Sequence, residues 1–349
     1  MSELPRRFRA QAEQCGRHGS PLTAALLSGA ADDYEAGGPV QPLLAQLEHL
    51  PSGSVPSLRF AGALHRMVLE GRAPTLAAYY PSVGGTAGPE GAWAVARSLV
   101  AERADELAVD IQRPVQTNEV GRAAALYGGL LHVASEWGLP IRLLEVGASA
   151  GLNLRPERFA YELGGGTVLG DAASPVRLRD PWRGTSPPYD VDLVVSSRAG
   201  CDPSPLDPTD DADKLTLLSY VWADQVDRVE RLRGALQVAA EQRVAVEALP
   251  ASQFLRRELA TPVAGTATVV WHSVVRQYLA PDELAEVDAL LAAAGERATA
   301  DAPLIRLSLE PEKKLQLGFR FLVQMTTWPG GQARVLAECL GHGPPVTWQ

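Results

Sequence analysis

Cysteine is scarce. The 349 residues hold three, Cys15, Cys201 and Cys339, odd in number and far apart. That spacing offers neither a disulfide framework nor a Cys-x-x-Cys metal pair, and a reducing, cytoplasmic setting is expected. Lysine is scarcer than arginine, Lys313-Lys314 is the one adjacent lysine pair, and the net charge is −9. A protein that draws its affinity from phosphate neutralisation carries a basic face, so nucleic acid is not the expected partner. No window reaches the roughly 18 apolar residues needed to span a bilayer, so no membrane partner is expected. Arg6, Arg7 and Arg9 have no apolar core behind them, unlike a signal peptide. The six histidines are scattered without HxxxH or HxH spacing, so no metal is expected. A Gly-x-Ser-x-Gly elbow, a Walker loop and internal repeats are also missing.

What is present changes character along the chain. The first third reads as helices, over residues 22–34, 42–50, 58–70, 90–111 and 119–137, with no convincing strand before residue 140. Residues 141–146, 191–195, 244–246, 267–271 and 304–309 are short apolar runs, alternating with helical stretches at 213–240, 251–259 and 281–294. Such alternation predicts an α/β fold with a parallel sheet covered on both faces. Residues 319–326 and 333–338 flank Trp328-Pro329-Gly330-Gly331, which predicts a closing antiparallel hairpin. Two domains are expected: a helical one over 1–115, covering the strand-end pocket as a lid, and an α/β one over 116–349. The second carries an insertion near 155–188, where Gly164-Gly165-Gly166 suggests a hairpin.

Four segments could carry chemistry. Glu145-Val146-Gly147-Ala148-Ser149-Ala150-Gly151-Leu152-Asn153 follows the first strand. Gly147 allows a sharp turn and a close ligand approach, and Gly151 is expected to open a helix whose N-terminus favours anionic groups. The plain alternative is a packing turn. Asp202, expected just past the second strand, can accept from ribose hydroxyls, with Asp207 in reserve; alternatively both serve turns and helix caps. His272, at the end of the fourth strand, could act as a general base, with Arg276 and Tyr278 holding substrate, unless it is a hydrogen-bonded structural histidine. Asn118 is expected to cap the helix that follows it, and Glu119 and Arg122 fall on one face of that helix. Trp222, read as lying inside a long helix, and Glu310, after the fifth strand, could line the same pocket.

The order of these segments resembles the class I, Rossmann-like methyltransferases. Glu145-x-Gly147-x-x-x-Gly151 is similar to their first motif, Gly200-Cys201-Asp202-Pro203-Ser204-Pro205 to their ribose segment, and Val246-Glu247-Ala248-Leu249-Pro250-Ala251 to their adenine-contacting third motif. More narrowly, the chain resembles the bacterial family DUF2332 through Thr117-Asn118-Glu119-Val120-Gly121-Arg122, Leu144 to Asn153, Gly200-Cys201-Asp202, Leu218-Ser219-Tyr220-Val221-Trp222 and His272-Ser273-Val274. The methyltransferase resemblance implies a seven-stranded sheet in the order 3-2-1-4-5-7-6 with the last strand antiparallel. It implies S-adenosylmethionine as cofactor, held by Arg122, Glu145, Gly147, Ala148, Ser149, Gly151, Asn153, Asp202, Glu247 and Ala248, and a small-molecule oxygen or nitrogen acceptor. Ser149 stands where these enzymes have a middle glycine. The alternative is a non-catalytic nucleotide- or metabolite-binding protein on the same scaffold. A nicotinamide-dependent oxidoreductase is disfavoured by the lack of GxGxxG.

Overall fold

Proline sets many of the helix starts. In chain order the helices are α1 (Leu4–Arg17), α2 (Pro21–Glu35), α3 (Val40–Ala45), α4 (Pro56–Leu69), α5 (Pro74–Ala77), α6 (Ala92–Asp110), α7 (Ala123–Trp137), α8 (Asp211–Ser219), α9 (Val226–Glu241), α10 (Ala251–Glu258) and α11 (Pro281–Gly295). Proline stands in the first turn of α1, α2, α4, α5 and α11, where its missing N–H leaves no bond unmade and its fixed φ suits the helix. The computed structural model describes residues 2–50, 52–314 and 318–349. Pro51, between the helices expected over 42–50 and 58–70, lies outside them. Among the described residues no strand precedes Ile141, and no helix is long and apolar enough to cross a membrane.

The chain divides into two compact units, one of residues 1–117 with 210–230 and one of residues 118–209 with 231–349. The first is helical. Phe8, Leu26, Leu27, Phe60, Leu64 and Met67 fill its core, and Ala223 from the second segment joins them. A Cβ on Gly62 would lie 2.6 Å from the Tyr220 ring, so the bare glycine is what lets that ring pack on α4. The Tyr220 hydroxyl donates to the Arg113 carbonyl at 3.1 Å. Asp210 caps α8, accepting from the N–H groups of Ala212 and Asp213 at 2.9 and 3.0 Å. The single helix expected over 213–240 is instead α8 and α9, and Trp222 lies in the break between them.

The second unit has a mixed α/β fold around a large, mostly parallel sheet. Its strands are β1 (Ile141–Val146), β2 (Ala160–Glu162), β3 (Val168–Gly170), β4 (Arg177–Arg179), β5 (Trp182–Gly184), β6 (Val195–Asp202), β7 (Val246–Ala248), β8 (Ala267–Ser273), β9 (Leu304–Lys314), β10 (Gly318–Trp328), β11 (Gln332–Leu340) and β12 (Gly343–Trp348). Nine form one sheet in the order β5-β12-β11-β10-β9-β8-β1-β6-β7. β7, β6, β1, β8 and β9 run parallel, β10, β11 and β12 follow as an antiparallel meander, and β5 pairs in parallel with β12. β2, β3 and β4 make a separate three-stranded sheet, with β2 and β3 antiparallel across Gly164–Gly166.

The expected seven strands ending 5-7-6 are therefore corrected. Only residues 315–317 separate β9 from β10, and 341–342 separate β11 from β12. Connections that short cannot cross over, so each strand must lie beside its predecessor. β6 also starts where the expected strand over 191–195 ends, so Asp202 is its last residue rather than a loop residue. β1 is central and apolar on both faces, with Leu143 and Leu144 buried. Leu144, Cys201, Phe254, Val270, Val287 and Leu291 make the core on one side of it.

Candidate functional site

β1 lies between β6 and β8, so Glu145 sits level with Gly200 on one side and Trp271 on the other. Its side chain is buried, and Oε2 has no hydrogen-bond partner. The Asn153 Oδ1 has none either, and the neighbouring Trp271 indole N–H, outside good hydrogen-bond geometry, still helps hold the Glu145 carboxyl down. Asn153 is fixed by its Nδ2, which donates to the Glu119 carbonyl at 3.1 Å. Burial pushes the Glu145 carboxyl up to about 8; Arg122 pulls it down, Asp202 pushes it up and Arg155 pulls it down.

The glycine turn that follows is tied mostly to the end of β6. Gly147 has φ +71° and Ser149, a non-glycine in the left-handed region, has φ +53°. The N–H groups of Gly147 and Ala148 both donate to the Cys201 carbonyl, at 2.9 and 3.0 Å. Ser149 N–H donates to Asp202 Oδ2 at 3.0 Å, and Ser204 N–H to Asp202 Oδ1 at 2.9 Å. The close approach that Gly147 permits is made by the protein itself, since a Cβ there would lie 2.4 Å from Val275 Cγ2. Gly151, at φ +67°, does not open an α-helix as expected. It leads into a 3-10 turn over Leu152–Leu154, too short for a helix-terminus anion site. Asn118 is likewise not a helix cap: its Oδ1 accepts from Leu152 N–H at 2.9 Å, tying the segment before α7 to this turn. Glu119 caps the short turn ahead of α7, accepting from Gly121 N–H at 3.0 Å. Asp202 thus holds two backbone amides, and Asp202→Ala should cost about 1–3 kcal/mol in urea unfolding. An unchanged midpoint would contradict that role.

A second cluster lies at the ends of β8 and β9. Arg306, Ser308 and Glu310 alternate on one face of β9, level with Val270 and His272 of β8. His272 is buried, its Nδ1 lies 2.7 Å from Glu310 Oε1, and its Nε2 lies 3.0 Å from Arg306 Nε. An arginine N–H can only donate, so Nε2 accepts and the proton sits on Nδ1. Burial lowers the His272 pKa against the pull of Glu310, which keeps the ring neutral. Arg306 also bonds Asp288 at 3.1 Å, and Arg276 grips the same carboxylate at 2.7 and 2.8 Å. Glu310 Oε1 further accepts from Val275 N–H at 3.2 Å, holding the loop that begins at Val274, φ +53°. A β-branched residue in that region is strained.

The remaining residues are dispersed. Arg122 donates to the carbonyls of Gly341 and Ser273 at 2.9 and 3.2 Å. Glu247 forms a two-pronged pair with Arg257 at 2.5 and 2.8 Å, which lowers its pKa, and Ala248 ends β7 in the open. Tyr278 is 61% exposed. Asp207 accepts from the Thr209 N–H and hydroxyl, the turn role. Trp222 belongs to the first unit, where the Arg228 guanidinium lies 5.6 Å above its ring. Sequence reading missed Trp271, Arg306, Asp288 and Arg155. A charged residue inside an apolar strand run is a legible signal for Arg306; Asp288 and Arg155 have none.

A family model described as an uncharacterized protein conserved in bacteria, DUF2332, matches residues 5–348. The chain belongs to the DUF2332 family. No curated protein and no solved structure matches this DUF2332 member.

Proposed function

We propose that the second unit binds S-adenosylmethionine at the carboxyl ends of β1, β6 and β7 and methylates an oxygen or nitrogen of a small molecule. The observation that carries this reading is the pair of orphaned buried acceptors, Glu145 Oε2 and Asn153 Oδ1, beside the glycine turn. Ligands of open α/β sheets bind at such strand ends. The cofactor's ammonium and ribose hydroxyls are donors, so Asn153 Oδ1 fits them as it stands, and the Glu145 carboxyl, kept protonated below about pH 8 by burial, fits an ammonium by giving up its proton as the charge arrives. Asp202 keeps one further lone pair on each oxygen beyond those given to Ser149 and Ser204, enough to accept from ribose.

When bound, the cofactor supplies a methyl group on a positively charged sulfur. The chain's part is orientation. The His272 lone pair is committed to Arg306, so the acceptor's proton leaves to water rather than to this ring. The exposed Tyr278 hydroxyl and the Arg276 edge supply acceptor contacts. A second reading, non-catalytic binding of a nucleotide or metabolite, is favoured by Val275 against Gly147 and by the ≈10 Å³ of space beside His272, too little for a reacting group.

Calorimetric titration with S-adenosylmethionine, S-adenosylhomocysteine and NAD tests both. Binding of the first two, weakened at least roughly tenfold by Asn153→Ala, is expected. Binding of NAD alone, or of none of the three, sinks the proposal. Tight binding of S-adenosylhomocysteine with no methyl transfer to any of a panel of hydroxyl and amine acceptors would favour the second reading.

A further inference from the structure

Arg155 is 1% exposed. Its Nε donates to the Gln242 carbonyl and its Nη1 to the Gly151 carbonyl, at 2.5 and 2.7 Å, while Nη2 has no partner. Among the described residues no carboxylate forms an ion pair with it. Burial lowers its pKa to about 10, with Arg198 acting the same way and Glu145 and Glu157 opposing, so it stays charged at neutral pH. A buried cation held only by carbonyls is unfavourable unless a counter-charge completes it.

The same arginine lines a cleft of ≈430 Å³ within the second unit, the size of a small-ligand site. Leu206, Pro208 and Val244 give it apolar walls, and Arg243 stands on it as a second cation. Arg243 is exposed and forms no ion pair among the described residues. The one wall carboxylate, Asp207, accepts from the Thr209 N–H and hydroxyl and keeps its charge, so the two arginines outnumber it. We propose that this cleft binds a small molecule that joins an anionic group, phosphate or carboxylate, to an apolar body. Arg243 contacts the anion directly, and Arg155, just beneath the wall, adds a fixed charge that solvent screens poorly. The apolar body lies against Leu206, Pro208 and Val244. The inference does not rest on methyl transfer, although the cleft adjoins the strand-end set: Leu206 N–H donates to the Ser149 carbonyl at 3.3 Å and Arg155 to that of Gly151.

Titration calorimetry with phenyl phosphate, benzoate and inorganic phosphate tests it. At least one aromatic anion is expected to bind at a single site more tightly than inorganic phosphate, and which one binds tells phosphate from carboxylate. Arg155→Gln and Arg243→Glu are each expected to weaken that binding at least tenfold. Because Arg155 also holds two carbonyls, R155Q could unfold the chain; R243E alters an exposed, unpaired side chain and decides the matter alone. Absence of saturable binding by both aromatic anions, or an unchanged affinity in R243E, overturns the proposal.

Discussion

Gly147→Ala is expected to destabilise the chain by about 2–5 kcal/mol, the sum of about 1–2 for a side chain in the left-handed region and about 1–3 for forced overpacking. Both terms are visible at this position: φ is +71°, and the new Cβ would lie 2.4 Å from Val275 Cγ2. They can be separated. Val275→Ala removes the methyl at 2.4 Å but keeps its own Cβ 3.0 Å from the new one, so the double variant should recover most of the packing share and keep the backbone share. Urea unfolding of the four proteins in the cycle measures this. Strictly additive losses would mean that the Val275 loop moves aside freely, and that Gly147 is not packed as described.

The second large effect depends on pH. The Glu145 carboxyl has its folded pKa raised to about 8 from an ordinary 4.5. Between those values the folded chain holds a proton that the unfolded chain releases, so stability falls as pH rises across that window and levels off above it. At about 1.4 kcal/mol per pH unit, the whole fall is on the order of a few kcal/mol. Glu145→Gln keeps the size and removes the titration. It should flatten this part of the profile and leave the variant more stable than the parent near pH 8.5. The difference between the two profiles isolates Glu145 from the other carboxylates and from His272. Parallel profiles for variant and parent from pH 4.5 to 8.5 would show that the group ionises freely in the folded chain.

Periodicity carried most of the architecture. The runs at 141–146, 267–271 and 304–309 became β1, β8 and β9, and the tail folded as the β10–β11 hairpin, because each run is apolar enough to admit one reading. α1 went unseen: Leu4, Phe8, Ala12 and Cys15 are its inward face, spaced by three or four residues but diluted by arginine and glutamine. β6 begins later than the apolar run expected as a strand, since its first half, Ser196-Ser197-Arg198, is polar while the half-exposed 191–194 segment before it is mostly apolar. The excursion of residues 210–230 into the first unit has no local signature, as it depends on Leu217, Tyr220 and Ala223 meeting a core made elsewhere in the chain. At the site, residue types were legible but their engagements were not. Nothing in a linear reading says that Asp202 is bound by two amides, that Arg306 caps the His272 lone pair, or that Val275 lies on Gly147. These are distances between segments far apart in sequence.

β5 is three residues long and lies early in the second unit, yet its partner is β12, the last strand of the described residues. Trp182 donates its indole N–H to the Ala124 carbonyl at 3.0 Å, and its ring meets the Trp348 ring edge-on at 6.2 Å. A ribosome making this chain therefore holds an unmatched strand until β12 has been made, since Trp182 pairs with Val346. Pairings at such separation are slow to form, and in the interval the edge left by β5 is open to other chains. Loss of β12 would act far upstream of the cut, leaving the Trp182 segment without the strand that fixes it.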